Sequence, residues 1–259
     1  MEINGKTAIV TGGTNGIGRT IAEYLHNEGV YVCIFDKKIE GIKEFNKFGL
    51  CLYQCDVTSD RSRKLSFNSV MNSRGSLDIL VNCAGGNLPE RDYRTQFRSD
   101  FAKYGMEIYQ PILDLNLLAP IGMMNEVIPH MRENHSGVII NISSVNAAAP
   151  LESPAYSIAK AGLEHATRLY ARAYARHGIR VNAVRSGPVA TEDTLALYEK
   201  DPEQKRIVLD STLSKRIGET DDVARVVLNL IENDAFIGSI VTVDGGFLLD
   251  TPFFRNTEK

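Results

Sequence analysis

The sequence predicts an α/β protein built on a single doubly wound parallel sheet of about seven strands flanked by helices, and three observations predict it. Short apolar runs rich in β-branched residues alternate along the 259 residues with segments of helical periodicity, the pattern of repeated strand–helix–strand units. The first of these runs passes directly into a glycine-rich turn and then a helix. No Pro/Ser-rich linker, charge block or low-complexity stretch divides the chain, so one domain over residues 1–259 is the economical reading.

Strands are expected near residues 6–11, 30–35, 50–55, 77–82, 137–143, 179–184 and 239–243, with helices between most of them. The first, Thr7-Ala8-Ile9-Val10, leads into Thr11-Gly12-Gly13-Thr14-Asn15-Gly16-Ile17-Gly18 and an amphipathic helix from Arg19 to Asn27. Strand, glycine turn, helix is the context of a Rossmann-type dinucleotide cradle. Glycine permits the sharp turn and close approach of backbone to pyrophosphate, and the helix start offers free N–H groups to negative charge. Gly12, Thr14, Asn15, Gly16, Ile17 and Gly18 are therefore candidate cofactor contacts. The second strand, Tyr31 to Phe35, ends on Asp36, where an acid accepts hydrogen bonds from the adenosine ribose hydroxyls. A carboxylate there repels the extra phosphate of NADP, so NAD is favoured. Lys37 and Lys38 follow and in principle soften that exclusion, although two lysines after a strand are more often a solvated loop.

Further along, the helix around Gln110 to Glu133 carries Pro111, Pro120 and Pro129, which should bend or interrupt it. The helix from Ala155 to Arg176 is long and rich in small residues. Tyr156 and Lys160 lie one turn apart on its surface, hence on one face, with Ser143 and Ser144 a short loop upstream. An ammonium beside a phenol favours the phenolate, so a tyrosine whose pKa is about 10 in free solution becomes a usable acid or base near neutral pH.

Taken with the glycine turn, these residues make the chain resemble the short-chain dehydrogenase/reductase family along nearly its whole length. The turn has that family's Thr-Gly-x-x-x-Gly-x-Gly spacing through Gly12, Gly16 and Gly18. Cys55-Asp56-Val57, Val81-Asn82-Cys83-Ala84-Gly85, Leu113-Asp114-Leu115-Asn116, Ile139 to Ser144 and Val241-Thr242-Val243-Asp244-Gly245-Gly246 follow in the family's order, with Cys83 in place of an asparagine. The resemblance implies that Asp56 and Val57 contact adenine and that Asn82, Ala84, Gly85, Gly187, Val189 and Thr191 border the cofactor, Thr191 meeting the nicotinamide carboxamide. It implies that Tyr156 exchanges the proton and also borders the cofactor, that Ser144 hydrogen-bonds the substrate oxygen, that Lys160 also holds the nicotinamide ribose, and that Asn116 holds a water in the proton path. Two departures stand out. Strand register selects Ser144 as the catalytic serine, yet counting back from Tyr156 selects Ser143; Ser144 is preferred and Ser143 kept in reserve. Arg185-Ser186-Gly187 stands where the family has Pro-Gly, with Thr191 still in place.

The implied activity is hydride transfer between NAD(H) and a secondary alcohol or ketone, with polyols, sugar acids and cyclic diols as substrate classes. The rivals are an NADPH-dependent oxoacyl-type reductase and a catalytically silent nucleotide sensor. The resemblance also implies a homodimer or homotetramer, paired through the helices around 110–133 and 155–176. The net charge of -3, with scattered basic residues, gives no footprint for nucleic acid or an anionic membrane. The first strand begins within a few residues of Met1, leaving no room for a signal peptide, and no apolar run approaches a membrane span, so a cytoplasmic protein is expected. Cys33, Cys51, Cys55 and Cys83 fall on or just after core strands, which suits reduced, buried thiols; without clustered histidines, Cys51 and Cys55 make no metal site. Two segments should shape the substrate pocket, Asn87 to Tyr104 and Glu192 to Arg216. Arg91, Arg94, Arg98 and Lys103 in the first fit either a substrate anion or, interleaved with Glu90, Asp92 and Asp100, a solvated loop; both readings stay open.

Overall fold

A strand that is apolar on both faces must be covered on both faces, and the computed structural model, which describes residues 1–39, 50–86, 100–149, 151 and 153–249, shows how. β1 (Thr7–Thr11), β2 (Tyr31–Asp36), β3 (Cys51–Gln54), β4 (Ile79–Asn82), β5 (Gly137–Ser144), β6 (Ile179–Ser186) and β7 (Ile240–Val243) form one sheet in the order β3-β2-β1-β4-β5-β6-β7. Every pairing is parallel. Alternate residues face opposite sides. Val10, Ile34, Val81 and Ile140 pack under α1 (Gly16–Asn27) and α8 (Thr220–Glu232). Ile9, Phe35, Leu80 and Ile139 pack under α2 (Asp60–Arg74), α4 (Ala119–Glu133) and α5 (Pro154–Tyr174). The remaining described helices are α3 (Met106–Leu113), α6 (Glu192–Lys200) and α7 (Pro202–Asp210).

The expected strands all form, with ends shifted by one or two residues. Three expectations need correction. The first helix begins at Gly16 rather than Arg19, because Asn15 is extended (φ -147°) and the last glycines of the turn already belong to the helix. The segment around 110–133 is interrupted away from its prolines: Pro111 sits inside α3, Pro120 in the first turn of α4 and Pro129 inside α4, while the two helices join through a widened π turn over Asp114–Leu118. Such one-turn bulges are frequent at functional sites. Finally, Cys51 is exposed, because β3 is an edge strand, whereas Cys33 and Cys55 are buried and Cys83 half-buried. All four thiols are free.

Buried polar groups tie the sheet to its cover. The Arg180 guanidinium, on β6, donates to the carbonyls of Leu230, Ile231 and Asn233, closing the C-terminal end of α8. Asn82 Nδ2 donates to Asn141 Oδ1 at 2.8 Å, and Asn141 Nδ2 to Thr167 Oγ1 at 2.9 Å, joining β4, β5 and α5. No described helix is long and apolar enough to cross a membrane. The sheet order reverses between β1 and β4, and the crevice beyond their carboxyl ends is where a doubly wound sheet binds its ligand.

Candidate active site

A cavity of about 820 Å³ lies at that crevice. At one end β2 and β3 deliver Asp36, Lys37, Asp56, Val57 and Thr58. Asp36 Oδ2 accepts from Thr14 Oγ1 at 2.6 Å and from the Thr14 backbone N–H at 3.4 Å. Asp56 Oδ1 accepts from the Thr58 hydroxyl (2.6 Å) and N–H (3.0 Å), while its Oδ2 meets Lys37 Nζ at 2.8 Å. Lys37 and Thr58 together hold the Asp56 carboxyl below the usual carboxylate range, and the pairing with Asp56 raises Lys37.

In the middle lies the glycine turn. Gly12 has a φ of +64°, and a Cβ on it would stand 2.8 Å from Ala84 Cα; a Cβ on Gly18 would collide with the Gly12 carbonyl. Asn15, at the N-cap of α1, makes no side-chain cap, and no acid stands in the first turn, so the helix start keeps its N–H groups and partial positive charge for an anion.

At the far end Pro154 starts α5, and the first turns of that helix bring Tyr156 and Lys160 to the cavity wall. Lys160 is buried, donates from Nζ to the Ile142 carbonyl at 2.8 Å, and stands 5.5 Å from the centroid of the Tyr156 ring. Burial pushes its pKa down to about 8, partly opposed by Cys83. Burial likewise pushes the Cys83 thiol up to about 12. A Cβ at position 85 would lie 2.7 Å from Asn116 Oδ1 and 3.4 Å from Lys160 Nζ, so a side chain there would displace Asn116. Asn116, fully buried in the π turn, accepts from Gly86 N–H (3.0 Å) and donates to the carbonyls of Gly86 (2.8 Å) and Ile112 (3.0 Å), fastening the turn to the end of β4.

Neighbouring serines on β5 face opposite ways. Ser143 Oγ donates to Glu164 Oε1 at 2.8 Å, and the buried Glu164 is gripped by Arg185 through Nε (2.9 Å) and Nη2 (2.6 Å). Ser144 Oγ instead donates to Asn146 Oδ1 (3.1 Å) and accepts from the Asn146 N–H (3.3 Å) at the start of a short turn.

Of the residues expected at the site, the cavity is lined by Gly12, Asn15, Gly16, Ile17, Gly18, Asp36, Asp56, Val57, Ala84, Gly85, Ser143, Tyr156, Lys160 and Thr191. Thr14, Asn82, Asn116, Ser144, Gly187 and Val189 are not among the residues that line it. Thr14 anchors Asp36, and Asn82 joins two strands. Val189 is in the core, and Gly187 allows its own backbone to pass close to Asp244. Sequence reasoning missed Asp114 and Leu115, which the π turn carries to the cavity, and Glu164, although its place four residues after Lys160 on one helix face was a usable signal. Arg91, Arg94 and Arg98 lie outside the described residues; Lys103 pairs with Asp100 at 2.9 Å on the surface. Among the described residues no group of three His, Cys, Asp or Glu side chains is placed to hold a metal.

The profile of a family described as enoyl-(acyl carrier protein) reductase matches residues 12–248, the span that holds all of these features except Thr11 and the first strand. A 7α-hydroxysteroid dehydrogenase of Paraclostridium sordellii is 31% identical, over 97% of this chain and 95% of its own length. The chain belongs to the short-chain dehydrogenase/reductase family. This short-chain dehydrogenase/reductase is also 30% identical to glucose 1-dehydrogenase 2 of Bacillus subtilis, over 96% of each chain. Its fold superposes on the solved 7α-hydroxysteroid dehydrogenase complexed with NADH and 7-oxo glycochenodeoxycholic acid with a TM-score of 0.84, at 28% identity over 95% of each chain. It is an oxidoreductase, and its family works with a nicotinamide cofactor.

Proposed function

We propose that the protein transfers hydride between NAD(H) and a secondary alcohol or its ketone, and the observation that carries this reading is the convergence of Tyr156 and Lys160 on the cavity that the glycine turn opens. The residues fit a dinucleotide: Gly12, Gly16, Gly18 and Gly85 bring bare backbone to the cavity wall, and the start of α1 is uncapped by side chains. Gly12, Asn15, Gly16, Ile17 and Gly18 would hold its pyrophosphate, Asp36 its adenosine ribose, Asp56 and Val57 its adenine, and Ala84, Gly85 and Thr191 its nicotinamide half. When bound, the cofactor supplies the hydride acceptor or donor.

The protein's part is the proton and the developing charge. Tyr156 Oη takes the alcohol proton in oxidation and returns it to the carbonyl oxygen in reduction. Lys160 places a positive charge beside it, aimed by the bond to the Ile142 carbonyl. Ser144 is the serine we assign to the substrate oxygen. The Ser143 proton is already donated to a buried carboxylate, whereas Ser144 spends its hydroxyl on Asn146, a neighbour it can exchange for substrate. Ser144→Ala should therefore lower kcat by about 10²-fold, the usual cost of one donor at a developing oxyanion. Ser143→Ala should keep most of the activity and lose about 1 kcal/mol of stability with one buried hydrogen bond. Steady-state kinetics and thermal melts of the two variants decide the assignment, and the reverse ranking in kcat overturns it.

Asp36 supports NAD as the preferred cofactor. Against a 2′-phosphate, a carboxylate at about 5 Å costs roughly 3 kcal/mol per unit charge at an effective dielectric constant near 20, before screening by salt. Asp36→Asn should accordingly raise the NADP/NAD ratio of kcat/KM by about tenfold or more, and an unchanged ratio removes Asp36 as the determinant. For the substrate we favour polyols, sugar acids and cyclic diols. Reduced-nicotinamide formation over a panel of these and of steroid alcohols, with NAD and NADP in parallel, tests the reading. A clear preference for NADPH and oxoacyl thioesters would replace it.

We further read the chain as one domain and as a cytoplasmic homodimer or homotetramer. The outward apolar side chains Leu118, Ile158 and Leu169, next to or on α4 and α5, support pairing through those helices.

A further inference from the structure

Lys37 is the nearest cation to Asp36 in sequence and lines the same end of the cavity, so it is the group a 2′-phosphate would find first. It is not idle. Its Nζ lies 2.8 Å from Asp56 Oδ2, and Asp56 is itself fixed by two donors from Thr58. We infer that Asp56 is a second determinant of cofactor choice, acting by sequestering Lys37, so that the adenosine end presents Asp36 uncompensated while a ready phosphate ligand is held aside. This rests on the NAD reading above.

Physical magnitudes set the size of the effect. The Lys37 side chain is 73% exposed, and an exposed ion pair shifts an equilibrium by a factor of about five at most. Thr58 lowers the entropic cost of this pair by holding the carboxylate in place. Releasing Lys37 should then favour a 2′-phosphate by about three- to fivefold, the upper part of that range. Asp36 and Asp56 thus do different things: Asp36 repels the phosphate, while Asp56 withholds its partner. An asparagine in place of Asp56 keeps the carbonyl oxygen that accepts from Thr58 and loses the charge that holds Lys37.

The test is calorimetric and needs no turnover. Dissociation constants of adenosine 2′,5′-bisphosphate and adenosine 5′-monophosphate are measured for the wild type, Asp56→Asn, Lys37→Gln and the double variant, since the ratio of the two constants isolates the 2′-phosphate. Asp56→Asn should shift that ratio about three- to fivefold toward the bisphosphate, and most of the gain should vanish when Lys37→Gln is added. An equal gain in both backgrounds overturns the inference, because Asp56 would then act by repulsion alone, and so does no gain at all. Lys37→Gln is a change on an exposed side chain, so its smaller effect on the ratio in the wild type than in the Asp56→Asn background is a second reading of the same coupling. The NAD reading fails separately, if the wild type already binds the bisphosphate more tightly than the monophosphate.

Discussion

Tyr156→Phe should lower turnover by about 10³-fold or more while leaving nucleotide binding nearly intact. The substitution removes one oxygen from a ring at the cavity wall and keeps the ring's volume, so α5 and the glycine turn have no reason to move. What disappears is the atom proposed to exchange the substrate proton, and a positioned general acid or base contributes roughly 10²–10⁴-fold. A proposed proton donor and acceptor in one group places the result toward the upper part of that range. Single-turnover hydride transfer beside a calorimetric dissociation constant for NAD separates the two effects. Substantial retained activity would take the tyrosine out of its role, and strongly weakened NAD binding would make its hydroxyl chiefly a cofactor contact.

Lys160→Met should abolish activity to a similar degree and yet make the ligand-free protein more stable at neutral pH. Burial lowers the pKa of this lysine from 10.5 to about 8, which corresponds to roughly 3 kcal/mol of disfavour for its charged form in the folded protein. The sign follows from linkage. Between pH about 8 and 10.5 the unfolded chain holds the proton and the folded chain does not, so stability rises with pH across that window, and the full cost stands below pH about 8. A methionine of similar volume removes the charge and its cost. It also leaves the Ile142 carbonyl without its donor, which returns about 1 kcal/mol. A net gain of about 1–2 kcal/mol at pH 7, shrinking to nothing toward pH about 10, is the expected melt. A Tm that falls equally at both pH values would show that Lys160 is held by partners that offset its burial.

These two residues were legible in the sequence because their relation is local. Tyr156 and Lys160 are one helical turn apart, and helical geometry alone puts them on one face. The glycine turn was legible for the same reason, since Gly12 to Gly18 constrain one another within a few residues. What escaped depends on contacts between distant segments. Strand register pointed to Ser144, and the structure adds why its neighbour differs: Ser143 faces Glu164, which is itself paired with Arg185 on β6. The ion pair of Lys37 with Asp56 joins two strand ends that only the β2–β3 pairing makes neighbours. Proline positions suggested a bent or interrupted helix, but that the chain widens at 114–118, away from the prolines, goes with what packs there, Asn116 fastened to Gly86.

The exposure of Cys51 gives the molecule a practical asymmetry. Thiol reagents react with the thiolates they can reach, and burial pushes Cys33 and Cys83 up to about 12 and raises Cys55 as well. Of the four cysteines, Cys51 alone is exposed, on the edge strand whose other end leads to Asp56. A maleimide dye under mild conditions would settle at the start of that strand, at the far end of β3 from Asp56, giving a fluorophore without any engineered attachment point.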